Sequence, residues 1–428
     1  MDFKALALIV FTVIYLYQIT LAVIHMRSAR NPVPVNVADV YDPETYRKWR
    51  AYHAEKSRLG IISSTASFIV DMILLAFNVY AAFAGLFPQG DKFLQLFAVM
   101  LLSSLASLVM IPFSWHGTMV IEEKYGFNKA TPKTFWADQI KDFVINLLIN
   151  TGIAALLMGV HHWLGDWLIL AFAVLMTLLM LGIAFLYPVF SRIFNKFTPL
   201  EDGELRDKLV ALLEKHGFTV RDIKVMDASR RTTKTNAYFA GFGKMKTIVL
   251  YDTLVASMTP DEICAVFAHE LGHGLHKDTL KRQVLSFVQM LVLAVLAWLT
   301  LRTPEIFRAF GFADINYGFA LILIMSVEFA LVAPLFGLLM NYVSRKAEYR
   351  ADAQAVKEGY GEHLISGLKK LARRNFADLA PSPLLVKLEY SHPTLTSALT
   401  QSNGSWLPAA GKKIFFPIPN LFLRAVSV

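Results

Sequence analysis

Residues 259–273 have the sequence TPDEICAVFAHELGH, which ends in the pattern His-Glu-x-x-His. Histidines four positions apart share one face only on a helix, so a helix is needed to bring His269 and His273 together. The stretch carries its own helix start, because Thr259 can cap the first turn and Glu262 can complete a capping box. We therefore predict a helix that presents two imidazoles to one metal ion.

The pattern is typical of zinc hydrolases. Catalytic zinc takes three protein ligands and keeps one position open for water, whose pKa it lowers to ~7. Glu270 directly follows the first ligand and is placed to accept the proton of that water. The sequence thus predicts one Zn²⁺ per chain and Glu270 as the catalytic base. The alternative is a surface helix with two solvated histidines.

The third zinc ligand has to come from another part of the chain. Glu348 and Asp352 are four positions apart in EYRAD and share a helical face. Glu348 could bind zinc while Asp352 accepts a hydrogen bond from the far ring nitrogen of a ligand histidine. From the residues alone an alternative stays open, a charged helix face with pairing along it by Arg345, Lys346 and Arg350.

The composition places this motif in a membrane protein. The 428 residues are 55% hydrophobic and 18% charged, whereas soluble proteins are roughly 25% charged. The apolar residues gather in blocks that suit membrane helices of ~20 residues. About seven spans are predicted, at residues 3–26, 61–87, 93–113, 143–164, 167–190, 284–301 and 317–342.

Lysine and arginine mark the loops that face the cytoplasm. The loops after the first and third predicted spans are rich in both, and the alternate loops carry few. Membrane topology therefore accounts for the net charge of +9, and no nucleic acid is expected as a partner. The same bias puts the two soluble stretches in the cytoplasm. We expect one small α+β zinc domain from residues 191–283 and 343–428, beside transmembrane parts at residues 1–190 and 284–342.

Two further features are candidates for substrate contact. Residues 236–240 and 246–251 flank a loop with two glycines and predict a β-hairpin. An exposed strand edge binds extended peptides through main-chain hydrogen bonds, although a purely structural hairpin is an equal alternative. The candidate substrate-binding residues are Asn236, Ala237, Tyr238 and Phe239. His392 could stabilise an oxyanion if it lies near the metal, but a lone histidine is more often structural.

An ordered series of motifs resembles the type I CAAX prenyl endopeptidases, integral-membrane zinc proteases of the endoplasmic reticulum and of bacterial inner membranes. The series comprises Tyr52 and Lys56, IEEKYGFN at 121–128, FTPLEDG at 197–203, NAYF at 236–239, LYDTL at 250–254, HELGH, EYRAD and YSHPT at 390–394. The resemblance implies seven helices around a chamber, capped on the cytoplasmic side by a gluzincin-type zinc domain. It also implies Glu348 as third zinc ligand, Asp352 as the partner of a ligand, His392 as transition-state stabiliser and the strand at Asn236 as substrate edge.

One departure from the family pattern is visible. The family usually places an arginine a few residues after the His-Pro pair, where this chain has Ser397 and Ala398. The departure concerns contacts to the end of the substrate and leaves the metal ligands unchanged.

The combined prediction is a multi-pass membrane zinc metalloendopeptidase that acts on a peptide or protein, with its active site facing the cytoplasm. The substrate would be the C-terminal tripeptide of prenylated proteins or, in a bacterial inner membrane, membrane and secretory clients. The chain length favours a bacterial source. Three alternatives stay open: a shorter heat-shock-type quality-control protease, an intramembrane protease disfavoured by the charges around the motif, and a non-catalytic membrane chaperone that kept the fold.

Overall fold

The computed structural model describes residues 2–402 apart from residues 168–170, 172, 176, 180–181, 183–194, 218 and 241–244. It is mostly helical. Among the described residues, six helices are long and apolar enough to cross a membrane. The predicted span at residues 167–190 lies largely outside the described residues.

The first two long helices begin at aspartate caps. Helix α1 spans Phe3–Ser28 and α2 spans Pro43–Ala76. The side chain of Asp42 accepts a hydrogen bond from the Thr45 amide at the start of α2. The prediction of a span at residues 61–87 was wrong at both ends. A capped polar segment continues the helix beyond its apolar part, and the left-handed Asn78 (φ 56°) ends it before α3, Val79–Ala84.

The next helices complete the N-terminal bundle. Helix α4 spans Lys92–Ser107, a 3₁₀ turn covers Leu108–Met110, and α5 spans Ile111–Trp115. A π-helical segment, His116–Glu122, follows directly. Helix α6 spans Pro132–Leu164. The third and fourth predicted spans are therefore parts of longer helices, because hydropathy marks the bilayer-crossing part and not the helix ends.

A four-stranded sheet forms the small α+β domain with three helices. The strands are β1 (Phe197–Pro199), β2 (Thr219–Met226), β3 (Ala237–Ala240) and β4 (Met245–Tyr251), in the order β1-β2-β4-β3. The helices are α7 (Glu204–Glu214), α8 (Asp252–Val255) and α9 (Pro260–Leu275). β3 and β4 are antiparallel, with Ala237 opposite Leu250. The predicted hairpin strands are thus confirmed, and β3 is one of the two edge strands of the described sheet.

The remaining helices lead from the zinc domain through the membrane-spanning region and back to the zinc domain. They are α10 (Asp278–Leu301), α11 (Pro304–Ala309), α12 (Tyr317–Leu323), a π-helical turn (Ile324–Glu328), α13 (Phe329–Lys357), α14 (Gly361–Arg374), α15 (Pro383–Leu388) and α16 (Leu395–Ser402). The seventh predicted span does not end at Tyr342, since α13 continues without a break past Asp352. One helix therefore runs from the membrane-spanning region into the zinc domain.

The two regions have separate cores. In the membrane bundle, the fully buried side chains include Leu96, Leu157 and Phe319. In the zinc domain, Ile248 and Leu250 of β4 pack with Phe267 of α9. A third cluster joins the loop after α1 to the C-terminal helices, since Trp49 and Val37 pack with Leu395 and Leu399. Helix α16 is thereby packed against the loop after α1 and the first turns of α2.

Candidate active site

Helix α9 starts with the capping box that the sequence predicts. The Glu262 amide donates to Oγ1 of Thr259 at 3.3 Å, and the Thr259 amide donates to Oε2 of Glu262 at 2.9 Å. The Glu262 carboxylate also accepts hydrogen bonds from Ser366 (2.6 Å) and Lys370 (2.7 Å) of α14. This start fixes the rotation of α9 about its axis and therefore the direction of its histidines.

Helices α9 and α13 cross in close contact at Gly272. A Cβ atom added there would lie 2.7 Å from the Cα atom of Ala351. Because Gly272 lies between the histidine pair and Ala351 lies between Glu348 and Asp352, this contact brings the two motifs face to face. The fourth residue of the HELGH pattern is therefore small for a packing reason.

His269, His273 and Glu348 form a group that could hold a metal ion. One ligand atom from each lies within 4.8 Å of the others. The Nε2 atoms of His269 and His273 lie 3.3 and 3.4 Å from the two carboxylate oxygens of Glu348. Two imidazoles and one carboxylate are the ligand set of many catalytic zinc sites. The predicted third ligand is thus in contact with both histidines.

The charge around this group also suits a cation. Glu348 is buried, and its ion-pair partners among the described residues are histidines. Burial lowers the pKa of His269, but the Asp352 and Glu348 carboxylates together raise it well above its ordinary value. Buried carboxylates without arginine or lysine beside them need a positive partner. A bound Zn²⁺ supplies that charge.

Each histidine has a carboxylate partner on its other ring nitrogen. Nδ1 of His269 lies 2.8 Å from Oδ1 of Asp352, the contact that the resemblance implies. Nδ1 of His273 lies 3.4 Å from Oδ2 of Asp278, which the sequence analysis missed. A histidine that binds metal through Nε2 donates from Nδ1 to such a partner. The signal in the sequence is an aspartate five positions after the second histidine.

Asp278 is placed by a turn between two helices. Lys277 adopts the left-handed conformation (φ 53°) and ends the path of α9, so that Asp278 starts α10 beside His273. Asp278 is buried and accepts hydrogen bonds from Arg350 (2.6 Å) and Lys281 (3.2 Å). Burial raises the pKa of Asp278, but these cations and His273 lower it below its ordinary value overall. Arg350 therefore contacts α10, whereas the alternative had it pairing along its own helix.

His392 lies beside the metal group. Its Nε2 atom is 3.3 Å from Oε1 of Glu348, and its Nδ1 atom is 2.9 Å from Oγ of Ser391. Burial lowers the pKa of His392 although the Glu348 carboxylate raises it. Arg345 holds this segment on α13, because its guanidinium donates to the Tyr390 carbonyl at 2.6 Å. The lone histidine of the sequence is therefore not an isolated surface residue.

A pocket of about 140 Å³ connects these residues. Glu270, His392, Asn236 and Ala237 line it together with His269 and Glu348 of the metal group, and aliphatic side chains form most of the remaining wall. Tyr238 and Phe239 continue β3, where they lie opposite Val249 and Ile248 of β4. The structure thus brings the predicted base, the predicted oxyanion donor and the start of the predicted substrate strand to one cavity.

Comparisons with known proteins agree with this arrangement. The family model described as CAAX prenyl protease N-terminal, five membrane helices, matches residues 22–196, and that of peptidase family M48 matches residues 199–400. CAAX prenyl protease 1 homolog of Arabidopsis thaliana is 33% identical over 414 residues, which cover 92% of this chain and 95% of the relative. CAAX prenyl protease 1 of Saccharomyces cerevisiae is 31% identical over 408 residues, with 88% and 89% covered.

A solved structure extends the likeness to the fold. The crystal structure of S. mikatae Ste24p superposes with a TM-score of 0.87 at 28% identity and covers 94% of this chain and 99% of that chain. Fold and site together define an integral-membrane, multi-pass zinc metalloendopeptidase. The chain belongs to peptidase family M48, alongside the CAAX prenyl proteases 1. The predicted fold class, enzyme class and zinc cofactor are thereby confirmed.

Proposed function

We propose that this protein removes the C-terminal tripeptide of prenylated proteins at the cytoplasmic face of its membrane. The observation that carries the proposal is that Glu270, His392 and two residues of the metal group, His269 and Glu348, line one pocket beside the edge strand β3. Relatives over nearly the whole chain are CAAX prenyl proteases, which supports the substrate class. The membrane of residence, endoplasmic reticulum or bacterial inner membrane, stays a prediction, as does the chamber between the helices.

Each site residue takes one role in this proposal. His269, His273 and Glu348 would hold the zinc ion, and Asp352 and Asp278 orient the two imidazoles. Zinc, when bound, supplies Lewis-acid polarisation and an acidic water. Glu270 accepts a proton from the attacking water and returns it to the leaving amine, a role typically worth 10²–10⁴-fold in rate.

Two groups act on the substrate itself. The peptide adds to the free edge of β3 through main-chain hydrogen bonds, with Asn236–Phe239 as the receiving residues. His392 donates a hydrogen bond to the carbonyl oxygen as negative charge develops on it. Its distance of 3.3 Å from the Glu348 carboxylate places its imidazole next to the metal group.

The test compares one peptide with and without a farnesyl group, using detergent-purified, zinc-loaded protein. We expect cleavage of the farnesylated peptide and at least about 100-fold loss in Glu270→Gln with unchanged zinc content. Glu305→Gln is the matched control, because the Glu305 side chain is 58% exposed. This variant should cleave the peptide at the normal rate. Cleavage by Glu270→Gln at the normal rate would refute the assignment of the base. Equal cleavage of both peptides would refute the requirement for a prenyl group.

One observation favours a second candidate, the turnover of unprenylated membrane or secretory clients. Among the described residues that line the pocket, none is lysine or arginine. Ala398 lines it, and Oγ of Ser397 pairs with Thr394 at 3.0 Å, where the family usually has an arginine. Recognition of a free C-terminal carboxylate commonly uses arginine or lysine. Equal cleavage of peptides with free and amidated C-termini would support this second candidate.

A further inference from the structure

Two sequence motifs without a role in the chemistry meet at one point of the structure. Tyr52 and Lys56 lie one turn apart on α2, and Glu122 ends the π-helical segment His116–Glu122. The Tyr52 hydroxyl donates to Oε1 of Glu122 at 2.7 Å, and the Lys56 ammonium lies 2.9 Å from the same oxygen. π-Helical turns are rare and occur frequently at functional sites. This one ends at Glu122, whose carboxylate lies beside the zinc domain.

The fourth member of this cluster belongs to the zinc domain. The Nζ atom of Lys234 lies 3.3 Å from Oε2 of Glu122 and 3.1 Å from the Tyr52 hydroxyl oxygen. It also lies 5.0 Å from the ring centroid of Phe127. The Glu122 side chain is only 15% exposed, so solvent screens these contacts less than those of a surface ion pair. We call Tyr52, Lys56, Glu122 and Lys234 the brace.

Backbone contacts extend the brace along the same segment. The Lys129 amide donates to the Arg231 carbonyl at 3.0 Å, and the Thr233 amide donates to the Phe127 carbonyl at 3.3 Å. Asn128 and Thr232 form an isolated antiparallel bridge. The loop after the π-helical segment therefore serves as an extended partner for the chain that enters β3.

Lys234 is followed directly by the residues that line the catalytic pocket. The Thr253 hydroxyl donates to the Lys234 carbonyl at 2.8 Å. Thr235 pairs twice with Asn375, through its amide at 3.1 Å and its carbonyl at 3.2 Å. Asn236, which lines the pocket, starts the proposed substrate edge. Lys234 lies only two residues before Asn236, and an extended chain advances about 3.3 Å per residue. A displacement of Lys234 therefore displaces this edge as well.

The metal ligands lie outside the brace. His269 and His273 are on α9, which starts from its own capping box, and Glu348 is on α13. Loss of the brace should therefore move the peptide-binding edge relative to a metal site that stays assembled. This separation makes the effect of the brace measurable.

We propose that the brace positions β3 for peptide binding, with Lys234 and Glu122 as positioning residues that act through the strand. The inference rests on the proposed function insofar as β3 is the substrate edge. Elements outside the zinc domain thereby contribute to peptide binding, because the polar part of α2 and the π-helical segment set the position of the edge that receives the peptide.

The test measures KM and kcat separately on the full-length zinc-loaded protein. Lys234→Met and Glu122→Gln should each raise KM about tenfold, the order of magnitude for one lost charge-assisted hydrogen bond. We expect kcat to stay within about twofold and zinc content to stay constant. The single variant Lys234→Arg keeps the positive charge beside Glu122 and should have the wild-type KM. The double variant should be no worse than either single variant, because both remove the same contact.

Lys124→Met is the matched control. Lys124 lies two residues after Glu122 and pairs with Glu55 at 2.6 Å, but it is 57% exposed. The KM of the Lys124→Met variant should equal that of the wild type. A Lys234→Met variant with unchanged KM, or one that loses kcat and zinc together, would overturn the proposal that the brace positions β3.

A second measurement separates the brace from the proposed function. Hydrogen–deuterium exchange of the amides at residues 235–240 needs no substrate and should be faster in Lys234→Met than in Lys124→Met. Equal exchange in both variants would overturn the brace even if no peptide were cleaved. A wild-type protein that loads zinc but cleaves neither peptide would instead refute the proposed function and leave the exchange result decisive for the brace.

Discussion

Helices α1 and α9 are both rich in apolar residues, yet they bury them very differently. In α1 three of 26 residues are buried, whereas in α9 eight of 16 are buried. The apolar side chains of α1 are suited to lipid, which accepts any apolar shape. Those of α9 pack against β4, α7, α13 and α14, where each neighbour has a fixed position. Although both helices are apolar, α1 should therefore tolerate substitutions between apolar residues, whereas α9 should be disturbed by the addition of a single methyl group.

The largest effect is expected from adding one methyl group at a glycine in a packed contact, compared with adding one at a glycine that has free space around it. Gly272→Ala places a Cβ atom 2.7 Å from the Cα atom of Ala351, so α9 and α13 must separate. Displacement of catalytic groups by ~1 Å can cost about 100-fold in activity, and we expect a loss of this size together with zinc. Gly337 lies on α13, where an added Cβ atom meets no atom within 4 Å, so Gly337→Ala should leave activity and zinc content unchanged. Equal activity of the two variants would contradict the packing argument.

A matched pair of isoleucines measures the same contrast as stability. Ile263 of α9 is 1% exposed, and Ile9 of α1 is 60% exposed. Ile263→Ala should destabilise the protein by about 2–5 kcal/mol, because it leaves a cavity in a packed core. Ile9→Ala should cost less than about 0.5 kcal/mol, as surface substitutions usually do. Thermal unfolding in one detergent compares both variants, and a similar loss in each would mean that α1 is packed against protein.

The two histidine partners sharpen the comparison inside the site. Asp352 comes from α13 and lies 2.8 Å from His269, whereas Asp278 comes from α10 and lies 3.4 Å from His273. Loss of such a partner typically costs 10–100-fold in metal affinity. We expect Asp352→Asn at the upper end of this range and Asp278→Asn at the lower end, measured by chelator competition. The reverse order would show that the contact to α10 dominates.

The smallest expected effect concerns the start of α9 and depends on pH. Burial raises the pKa of Glu262, but Lys370, Ser366 and the Thr259 amide lower it, with a net value below the ordinary 4.5. Its contribution to stability is therefore complete above pH 4.5 and disappears as the pH falls through the lowered value.

Thermal unfolding between pH 6 and 3 tests this contribution. Glu262→Gln should reduce the stability by about 1 kcal/mol at neutral pH, the usual scale of a helix cap. The difference from wild type should shrink toward pH 3. A constant difference at all pH values would mean that the charge of Glu262 is not the cause. Glu305→Gln again serves as the control.

Much of the site was predictable because its signals are local. The HELGH helix, its capping box and the hairpin follow from i, i+4 spacing, from Thr259 and Glu262, and from alternation around two glycines. Asp278 was missed because its contact with His273 depends on the left-handed Lys277, a conformation that lysine rarely adopts. The helix ends of α2 and α13 were misplaced because hydropathy reports the bilayer and says nothing of a helix that continues in water.

The sequence by itself indicated the chemistry and the solvent of each part: two histidines four positions apart for a metal ion, Glu270 beside the first of them, and apolar blocks for the membrane. These follow from residue types and short-range periodicity. Only the tertiary structure decided which distant groups meet. Glu348 faces the histidines because Gly272 lets α13 approach α9, and Glu122, at the end of the π-helical segment, pairs with Lys234 of the zinc domain. Such contacts join residues more than 70 positions apart, and their positions depend on the packing of whole helices.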